Sequence, residues 1–406
     1  MLNENTIAII KSTVPVLEKY GTDITKRFYQ LLFTNHPELL NVFNQTNQQK
    51  GRQQTALANA VYAAAVHIDN LAAILPVVKQ IGHKHRSLGI QPEAYPIVGE
   101  NLLAAIKDVL GDAATDEILQ AWGEAYGVIA DAFIGVEAEM YKETEDQAGG
   151  WSGFRAFRID RKVQESDVIT SFYLVPQDGK AIASFLPGQY VTVQMKIPGE
   201  EYTHMRQYSL SDSPDKPYYR ISVKREDSRA KEPAGKVSVY LHESLNEGDE
   251  LLLSAPAGDF ILDQAGTRPV VFIGGGVGFT PLMSMMQTVL ANQPERKITF
   301  IQAAQNEQVH AMKAHVQELA EKNDQLSVHI CYEKPLSQDR TVNHYDHEGF
   351  IDAKYLKSVL PSEEADIYLC GPVPFMKAVY AALQANQVPT QRIHYEFFGP
   401  AGSIGA

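Results

Sequence analysis

Hydrophobic positions recur every three or four residues through the first 140 residues, which is the spacing of one buried face of an α-helix. The spacing is seen in stripes such as Ile7, Ile10, Val14 and Leu17. Breaks between helices are expected where glycine or proline interrupts the stripes, at Gly21, His36-Pro37, Pro76, Pro92, Pro96 and Gly111. Residues 1–140 are therefore predicted to form an all-α domain.

The pattern changes after a charged segment with two glycines, YKETEDQAGGW, at residues 141–151. Such a composition is typical of a linker between domains. Short runs rich in β-branched and aromatic residues follow, separated by turns: FRIDRKV, VITSFYLV, QYVTVQMKI and YYRISVKRE. Several short strands at close spacing predict an antiparallel β-barrel domain over residues 151–262.

The last third alternates between short apolar runs and helix-like stretches. The runs are PVVFIGG, KITFIQAA, LSVHICYE and ADIYLCGP, and the helix-like stretches include residues 281–291 and 309–322. Alternation of strand and helix predicts a parallel sheet with helices on both faces. The sequence thus predicts a multi-domain chain in which an α/β domain over residues 263–406 follows the barrel.

Composition narrows the class of protein and the compartment. The net charge of −13 argues against a nucleic-acid partner, because binding to phosphates needs clustered lysine and arginine. Cys331 and Cys370 are the two cysteines, too few for a disulfide framework and typical of a reducing compartment. No apolar run approaches the roughly 20 residues of a membrane helix, and the N-terminus lacks the features of a secretory signal. We expect a cytoplasmic monomer without an integral membrane segment.

The best local motif is VVFIGGGVGFTP, in which a strand ends in glycines and a helix begins. Glycines allow a ligand to approach the backbone, and a helix N-terminus offers free N–H groups to a diphosphate. A tight strand-to-helix turn with no ligand is the alternative. Cys370-Gly371-Pro372 ends another predicted strand and should face the same crevice, unless Cys370 is only a buried core cysteine.

A second candidate cofactor site lies in the predicted barrel. Alternation along a strand puts Arg206 and Tyr208 of the RQYS motif on one face, where a guanidinium suits phosphate and a ring suits stacking on a flat cofactor. The GKVS motif from Gly235 to Ser238 begins a predicted helix and is another candidate anion site. The alternative is a surface strand of the barrel with a structural tyrosine.

The helical third contains His36, His67, His83 and His85. His85 lies on an apolar stripe with Val78, Ile81 and Leu88, whereas His83 falls on a polar face with Gln80 and Ser87. A buried haem pocket would therefore use His85 as the ligand of its iron. The alternative is a core histidine whose hydrogen bonds are satisfied by the protein.

The order RQYS, GKVS, GGGVGFTP, CGP and YEFFGP resembles the ferredoxin–NADP reductase family. The resemblance implies that Arg206 and Ser238 bind FAD phosphates, that Tyr208 and Phe398 cover the two flavin faces, that Ser209 lies near flavin N5, and that Glu396 tunes the flavin. The full implied FAD set is Tyr190, Arg206, Gln207, Tyr208, Ser209, Gly235, Ser238, Glu396, Phe397, Phe398 and Gly399. The implied nicotinamide set is Gly274, Gly275, Gly276, Val277, Gly278, Phe279, Thr280, Pro281, Cys370, Gly371 and Pro372.

The helical segment resembles a globin, in particular the bacterial globins that precede a flavin reductase. This resemblance implies that His85 is the proximal iron ligand, preceded by Lys84 and supported by Tyr95 and Glu137. It also implies that Phe43 packs on the haem and that Tyr29, Gln53 and Leu57 line the gas-binding side. Tyr29, Gln53, Tyr95 and Glu137 are the expected catalytic residues. Taken singly, Tyr95 is also explained as a turn aromatic, Glu137 as a solvated charge and Tyr29 as half-buried core.

Over almost the whole chain the sequence is similar to the flavohaemoglobins. The resemblance implies a nitric oxide dioxygenase that contains haem b, binds FAD and takes electrons from NADH or NADPH to convert NO and O₂ to nitrate. We favour NADH, because no arginine cluster follows KITFIQAA to take a 2′-phosphate. A haem gas sensor or oxygen-binding protein, and a reductase of alkyl or lipid hydroperoxides or quinones, stay open. A lipid or other hydrophobic ligand in the distal haem pocket stays open as well.

Two features depart from the family pattern. The glycine loop reads GGGVGF where relatives often begin with Ser-Ala, and the terminal motif reads EFFG where some have ECFG. Neither change removes a group that the implied sites need. The tail AGSIGA matches no pattern of the family.

Overall fold

A computed structural model describes residues 2–43, 48, 50–228, 233–342, 344–399 and 404. The chain divides into two compact units. The first consists of Met1–Phe154, Gln194–Arg206 and Gly399–Ala401, and the second of Arg155–Val193, Gln207–Phe398 and Gly402–Ala406.

The N-terminal part of the first unit is helical, which confirms the predicted all-α class. Its helices are α1 (Glu4–Asn35), α2 (Arg52–Val66), α3 (Leu75–Leu88), α4 (Ala94–Leu110) and α5 (Asp116–Asp146), with short 3₁₀ turns at Pro37–Asn41, Leu71–Ile74 and Gly111–Ala113. Their apolar stripes meet in one core that includes Ile10, Phe28, Leu32, Leu102 and Trp122. Burial of these stripes, rather than helix propensity alone, stabilises the helices.

The predicted helix break at Gly21 is wrong, because α1 runs through this residue without interruption. A Cβ atom at Gly21 would lie 3.7 Å from the Cβ of Ala58 on α2. The glycine therefore permits close packing of two helices instead of ending one. Pro76 and Pro96, in contrast, lie in the first turns of α3 and α4, where a missing N–H removes no intrahelical hydrogen bond.

The first sheet has six strands in the order β4-β3-β6-β1-β2-β5. The strands are β1 (Phe154–Gln164), β2 (Ile169–Pro176), β3 (Tyr190–Met195), β4 (His204–Ser209), β5 (Tyr219–Lys224) and β6 (Glu250–Ser254), with helix α6 (Lys236–Glu243) between the last two. An antiparallel bridge between Leu210 and Ile221 joins the end of β4 to β5. The Ser211 amide also donates to the Arg220 carbonyl at 2.8 Å. These bonds connect the two edge strands, so the antiparallel sheet closes into the predicted barrel.

The second sheet is parallel at each of its strand pairs and has the order β10-β9-β8-β7-β11-β12. Its strands are β7 (Val270–Gly275), β8 (Ile298–Ala304), β9 (Leu326–Tyr332), β10 (His347–Glu348), β11 (Asp366–Cys370) and β12 (Ile393–Glu396). The helices between them are α7 (Phe279–Asn292), α8 (Lys313–Lys322), α9 (Ser337–Val342), α10 (Ala353–Val359) and α11 (Val373–Ala385). Helix α8 begins four residues later than expected, because residues 307–309 form a 3₁₀ turn and Met312 adopts a left-handed backbone with φ of 57°.

Strand β7 shows why helices cover both faces of this sheet. Val270 and Phe272 pack in one core with residues of α7 and α8, whereas Val271 and Ile273 pack in another with residues of α10 and α11. Alternate side chains of a strand point to opposite faces, so a continuous apolar run needs cover on both. This arrangement confirms the predicted α/β class.

Candidate functional site

Three residues from three helices form one hydrogen-bonded group in the helical unit. Nδ1 of His85 on α3 lies 2.7 Å from Oε1 of Glu137 on α5 and 3.2 Å from the hydroxyl of Tyr95 on α4. The Tyr95 hydroxyl donates to the same carboxylate oxygen at 2.6 Å. Tyr95 and Glu137 are buried, and the His85 side chain is one third exposed. A solvated Glu137 is therefore excluded, and the three side chains that the sequence singled out are in contact.

Close packing of α3 on α5 brings this group together. A Cβ atom at Gly82, one turn before His85, would lie 3.3 Å from Sδ of Met140 and 3.6 Å from Cγ of Glu137. Gly89 ends α3 one turn after His85 in the left-handed conformation, with φ of 77°. Gly82 thus allows α3 to lie close to α5, and Gly89 ends α3.

The predicted polar face of α3 is only partly correct. Gln80 is exposed and His83 is half-buried, but Ser87 is fully buried, contrary to the prediction, and its hydroxyl donates to the Lys84 carbonyl at 2.8 Å. A serine that bonds its own helix is buried without an unsatisfied hydroxyl, so the polar residue type did not mark a solvated face. Lys84 itself is half-buried.

The hydrogen bonds among Tyr95, Glu137 and His85 determine which ring nitrogen of His85 can bind a metal. Burial raises the pKa of Tyr95, and the hydrogen bond to the Glu137 carboxylate raises it further. The phenol is therefore neutral and donates. The carboxylate then accepts from Nδ1–H of His85 as well, which leaves Nε2 as the ring nitrogen available to a metal. A histidine whose second nitrogen donates to a carboxylate is the ligand arrangement that a haem iron needs.

A second cluster contains the residues implied for the gas-binding side. Tyr29 is 6% exposed, and its ring lies against those of Phe28 and Phe43, with ring centroids 4.8 and 5.7 Å away. Burial raises the pKa of Tyr29, and side-chain hydrogen bonds with Gln53 and Gln48 partly oppose the shift. Phe43 and Leu57 pack on the same core. A neutral phenol held by amides in an apolar cluster fits a site for a small polarised gas ligand.

Gln48 was missed by the sequence analysis. Its amide oxygen also accepts a hydrogen bond at 2.9 Å from Nε2 of Gln54, the residue that follows Gln53. Glutamine before a helix carries no periodic signal, so only the folded chain shows that this side chain reaches Tyr29.

The residues implied for FAD lie on several elements. Arg206, Gln207 and Tyr208 are half-buried on β4, and Ser209 at its end is buried. Tyr190 on β3 is also half-buried, and its ring carbons would lie 3.0 Å from a Cβ atom at Gly258. Glu396 ends β12, Phe397 and Gly399 are half-buried after it, and Phe398 is 46% exposed.

Gly235 and Ser238 lie at the start of α6, as the GKVS motif predicts for a helix N-terminus. The Ser238 hydroxyl accepts from the Glu226 amide at 3.2 Å and donates to the Gly235 carbonyl at 3.1 Å. A Cβ atom at Gly235 would lie 2.7 Å from this hydroxyl, so a larger residue there would displace the Ser238 side chain. The free N–H groups of the first turn of α6 are donors of the type that a flavin diphosphate needs. The Arg206 guanidinium on β4 is a donor of the same type.

The glycine loop lies where the strand order of the parallel sheet reverses. β7 has β8 on one side and β11 on the other, and Gly274 pairs with Cys370. Ligands of such sheets bind beyond the carboxyl ends of the strands at this reversal. Gly274 and Gly275 end β7, Gly276–Gly278 form a 3₁₀ turn, and Phe279, Thr280 and Pro281 form the first turn of α7. The arrangement fits a nicotinamide dinucleotide.

Packing explains two of the glycines without a ligand. A Cβ atom at Gly278 would lie 2.3 Å from the Cys370 carbonyl oxygen, and one at Gly275 would lie 2.6 Å from the ring of Phe375. A Cβ atom at Gly276, in contrast, would meet nothing within 4 Å. Cys370 is fully buried, and burial raises the pKa of its thiol well above the usual range. Its burial agrees with the alternative expectation of a core cysteine.

Three protein families match successive parts of the chain. Residues 26–133 match the globins, residues 156–261 match the oxidoreductase FAD-binding domain, and residues 272–381 match the oxidoreductase NAD-binding domain. Among the residues that the structure describes, no helix is both long and apolar enough to span a membrane.

Relatives and solved structures cover the whole length. Flavohemoproteins of Bacillus cereus and Bacillus subtilis are 60% and 54% identical over 404 residues, with 100% of this chain and at least 99% of each relative covered. The flavohemoglobin of Malassezia yamatoensis with bound FAD and heme matches with a TM-score of 0.84 at 26% identity, covering 98% of this chain and 100% of that one. The FAD/NAD-binding domain of nitric oxide dioxygenase from Vibrio cholerae is 37% identical, with a TM-score of 0.55, and covers 61% of this chain and 99% of that one. The chain therefore belongs to the flavohemoproteins, NAD(P)H-dependent oxidoreductases that combine a haem-binding globin with FAD- and NAD-binding domains.

Proposed function

We propose that the protein is a nitric oxide dioxygenase, which converts NO and O₂ to nitrate with electrons from NAD(P)H. The observation that carries the proposal is the hydrogen-bonded group of His85, Tyr95 and Glu137 within one globin unit. Reversible oxygen storage needs no dedicated electron supply, whereas this chain also has FAD- and NAD-binding domains. The bound groups would supply hydride donation from the nicotinamide, electron relay through the flavin and oxygen activation at the haem iron.

On the proximal side, the protein fixes the donor strength of one imidazole. Glu137 accepts from Nδ1–H of His85 at 2.7 Å, which gives the ring partial imidazolate character. Tyr95 donates to the same carboxylate oxygen and holds it in place. A more basic imidazole donates more electron density to iron, which favours oxygen activation over reversible binding.

On the distal side, Tyr29 supplies a neutral hydroxyl. Because burial raises its pKa, the phenol keeps its proton at physiological pH. Hydrogen bonds with Gln53 and Gln48 orient it, and the packing of Phe28 and Phe43 excludes water from its ring. Such a preorganised donor stabilises an oxygen atom that gains negative charge during reaction. Tyr29 and Gln53 are thus proposed as the residues that hold the reacting oxygen.

The relative from Vibrio cholerae supports the choice of reaction. That protein is named a nitric oxide dioxygenase, and its FAD/NAD-binding domain is 37% identical to the corresponding part of this chain. The likeness covers the reductase part, so the proposal for the haem side rests on His85, Tyr95, Glu137 and Tyr29.

We also propose that NADH is the preferred electron donor. In parallel sheets of this kind, the segment after the second strand contacts the ribose of the dinucleotide. Here that segment follows β8 and contains Glu307, whose carboxylate lies 2.5 Å from Nζ of Lys313. The Lys313 ammonium is thus already paired with a carboxylate and is less able to bind a 2′-phosphate. The Glu307 carboxylate also disfavours a 2′-phosphate, because both groups are negative.

Consumption of NO tests the function. The holoprotein, loaded with haem and FAD, is given NADH in aerated buffer while an electrode follows NO and nitrate is assayed. Continuous NADH-dependent loss of NO with matching nitrate is expected. Loss that stops at about one NO per haem indicates a gas-binding protein instead. Slow NO loss combined with rapid NADH oxidation by a lipid hydroperoxide or a quinone indicates the other reductase activities.

The variant His85→Ala tests the proximal assignment. Haem retention or NO consumption should be lost, while reduction of FAD by NADH continues at the normal rate. His67→Ala, a change of an exposed histidine in the same unit, serves as the control and should have no effect. Full NO turnover in His85→Ala would show that another residue ligates the iron.

A further inference from the structure

Helix α5 holds Tyr95 at two points. Glu137 accepts from the phenol of Tyr95 at 2.6 Å, and Tyr126, three turns earlier on α5, donates its hydroxyl to the backbone carbonyl of Tyr95 at 2.6 Å. Eleven residues correspond to slightly more than three full turns, so Tyr126 and Glu137 lie on the same face of α5. The side chain and the backbone of Tyr95 are therefore fixed to one rigid element.

A glycine on α4 leaves the space that the Tyr126 ring occupies. A Cβ atom at Gly99, one turn after Tyr95, would lie 2.5 Å from Cε1 and 2.8 Å from Cδ1 of Tyr126. The ring is thus packed directly on the α4 backbone, and no other residue at position 99 leaves this space. The contact of the Tyr126 ring with Gly99 and the hydrogen bond from its hydroxyl together determine the distance between α4 and α5 near Tyr95.

A second tyrosine of α5 holds the segment that follows His85. Tyr141, one turn after Glu137, donates its hydroxyl to the Ile90 carbonyl at 2.7 Å. The amide of Ile90 in turn donates to the His85 carbonyl at 3.0 Å. Tyr141 therefore reaches the backbone of His85 through a single residue at the end of α3.

Both hydroxyls remain donors over the working pH range. Burial raises the pKa of Tyr126 above the usual range and that of Tyr141 to about 12. Each hydroxyl bonds to a backbone carbonyl, that of Tyr95 or that of Ile90. The expected effect of both residues on the ring is therefore indirect, through the placement of α3 and α4.

We propose that Tyr126 and Tyr141 are positioning residues that set the geometry between the His85 imidazole and the Glu137 carboxylate. The proposal rests on the proposed role of His85 as the iron ligand. With both hydroxyls in place, α3 and α4 are fixed to α5 on either side of Glu137, and the bond from Nδ1–H to the carboxylate stays short. Loss of either hydroxyl lengthens or disorders this bond and weakens the basicity of the imidazole.

The test measures the iron–histidine bond in the haem-loaded, ferrous holoprotein. Tyr126→Phe and Tyr141→Phe should each shift the iron–histidine stretching band in resonance Raman spectra to lower frequency, broaden it, and raise the haem midpoint potential. Tyr62→Phe, a change of an exposed tyrosine on α2, is the matched control and should leave band and potential unchanged. A loss of stability alone would move neither readout in the folded, haem-loaded fraction.

A second perturbation displaces Tyr126 without removing its hydroxyl. Gly99→Ala forces its methyl group into the Tyr126 ring and should give the same shift of the band as Tyr126→Phe. Gly127→Ala is its control, because a Cβ atom there meets nothing within 4 Å. Unchanged bands in Tyr126→Phe, Tyr141→Phe and Gly99→Ala overturn the proposal. An iron–histidine band that persists in His85→Ala overturns the proximal assignment instead, so the two failures are distinguishable.

Discussion

Replacing Glu137 by glutamine tests whether the carboxylate acts on the haem or only fills space. The side chain is 3% exposed, and one oxygen accepts both from His85 Nδ1–H at 2.7 Å and from the Tyr95 hydroxyl at 2.6 Å. Glutamine keeps the volume and one acceptor oxygen but removes the negative charge. The change therefore separates electrostatics from packing.

The size of the effect follows from the two hydrogen bonds. A bond to a charged group contributes about 1.5–3 kcal/mol net and a neutral bond about 0.5–1.5 kcal/mol, so each bond weakens by roughly 1 kcal/mol. For a one-electron couple, a tenfold change in equilibrium constant is about 59 mV, so the midpoint potential of the haem should rise by at most on the order of 50–100 mV. Loss of an outer partner of a metal ligand reduces activity by about 10–100-fold, which is the expected loss of NO turnover.

The assay combines three readouts on the haem-loaded protein: a potentiometric titration of the haem, the iron–histidine stretching band, and NO consumption at an electrode. Reduction of FAD by NADH is the internal control and should not change. Glu139→Gln, two residues further along α5 and exposed, controls for a loss of charge at the surface. A Glu137→Gln protein with full haem content, unchanged potential and unchanged band would refute the reasoning, because the carboxylate would then be only structural.

Three further predictions concern the second unit. Glu307→Gln should raise kcat/KM for NADPH relative to NADH by up to about tenfold (about 1.4 kcal/mol), since it removes an acidic group and frees Nζ of Lys313 from its ion pair. An unchanged ratio contradicts the assignment of Glu307. Gly278→Ala places a methyl group 2.3 Å from the Cys370 carbonyl oxygen, a backbone atom that cannot move aside, and should slow FAD reduction by NADH by at least about tenfold, whereas a normal stopped-flow rate would show that the loop adapts. Burial lowers the pKa of His310 to about 3, so the unfolded chain takes up a proton below about pH 6.5 that the folded chain does not. Stability should therefore fall by up to about 1.4 kcal/mol per pH unit from pH 6.5 towards pH 3, and urea unfolding of His310→Gln should show a smaller acid dependence than the unchanged protein.

Patterns that depend on neighbouring residues in sequence predicted most of the fold. Short continuous apolar runs identified β7, β8, β9 and β11, and spacing of three or four residues identified the stripes of α1 and α5. The pattern of apolar residues that buries one face is contained in a short segment, so it can be recognised without knowledge of the rest of the chain. The glycine loop was also found correctly at the end of a strand, because glycine before a helix is a local signal.

Features that depend on distant partners were not predictable. Gly21 looked like a break because the sequence does not show that Ala58 lies opposite it. Ser87 looked solvated because its bond to the Lys84 carbonyl, within its own helix, allows burial. Gln48, Tyr126 and Tyr141 carry no motif, since each acts through a hydrogen bond to a residue that is distant in the sequence.

The hydrogen-bonded group of His85, Tyr95 and Glu137 depends on the spacing of residues along one long helix more than on any single residue. Helix α5 spans 31 residues from Asp116, and the side chain of Thr115, the residue before it, caps its N-terminus. Tyr126, Glu137 and Tyr141 share a face only because their spacing matches whole turns. Deletion of one residue between Tyr126 and Glu137 would turn the carboxylate by about 100° relative to Tyr126, although every side chain of the group would still be present. Sites supported by rigid helices hold their geometry more tightly than sites on loops, which is the property that a tuned imidazole needs.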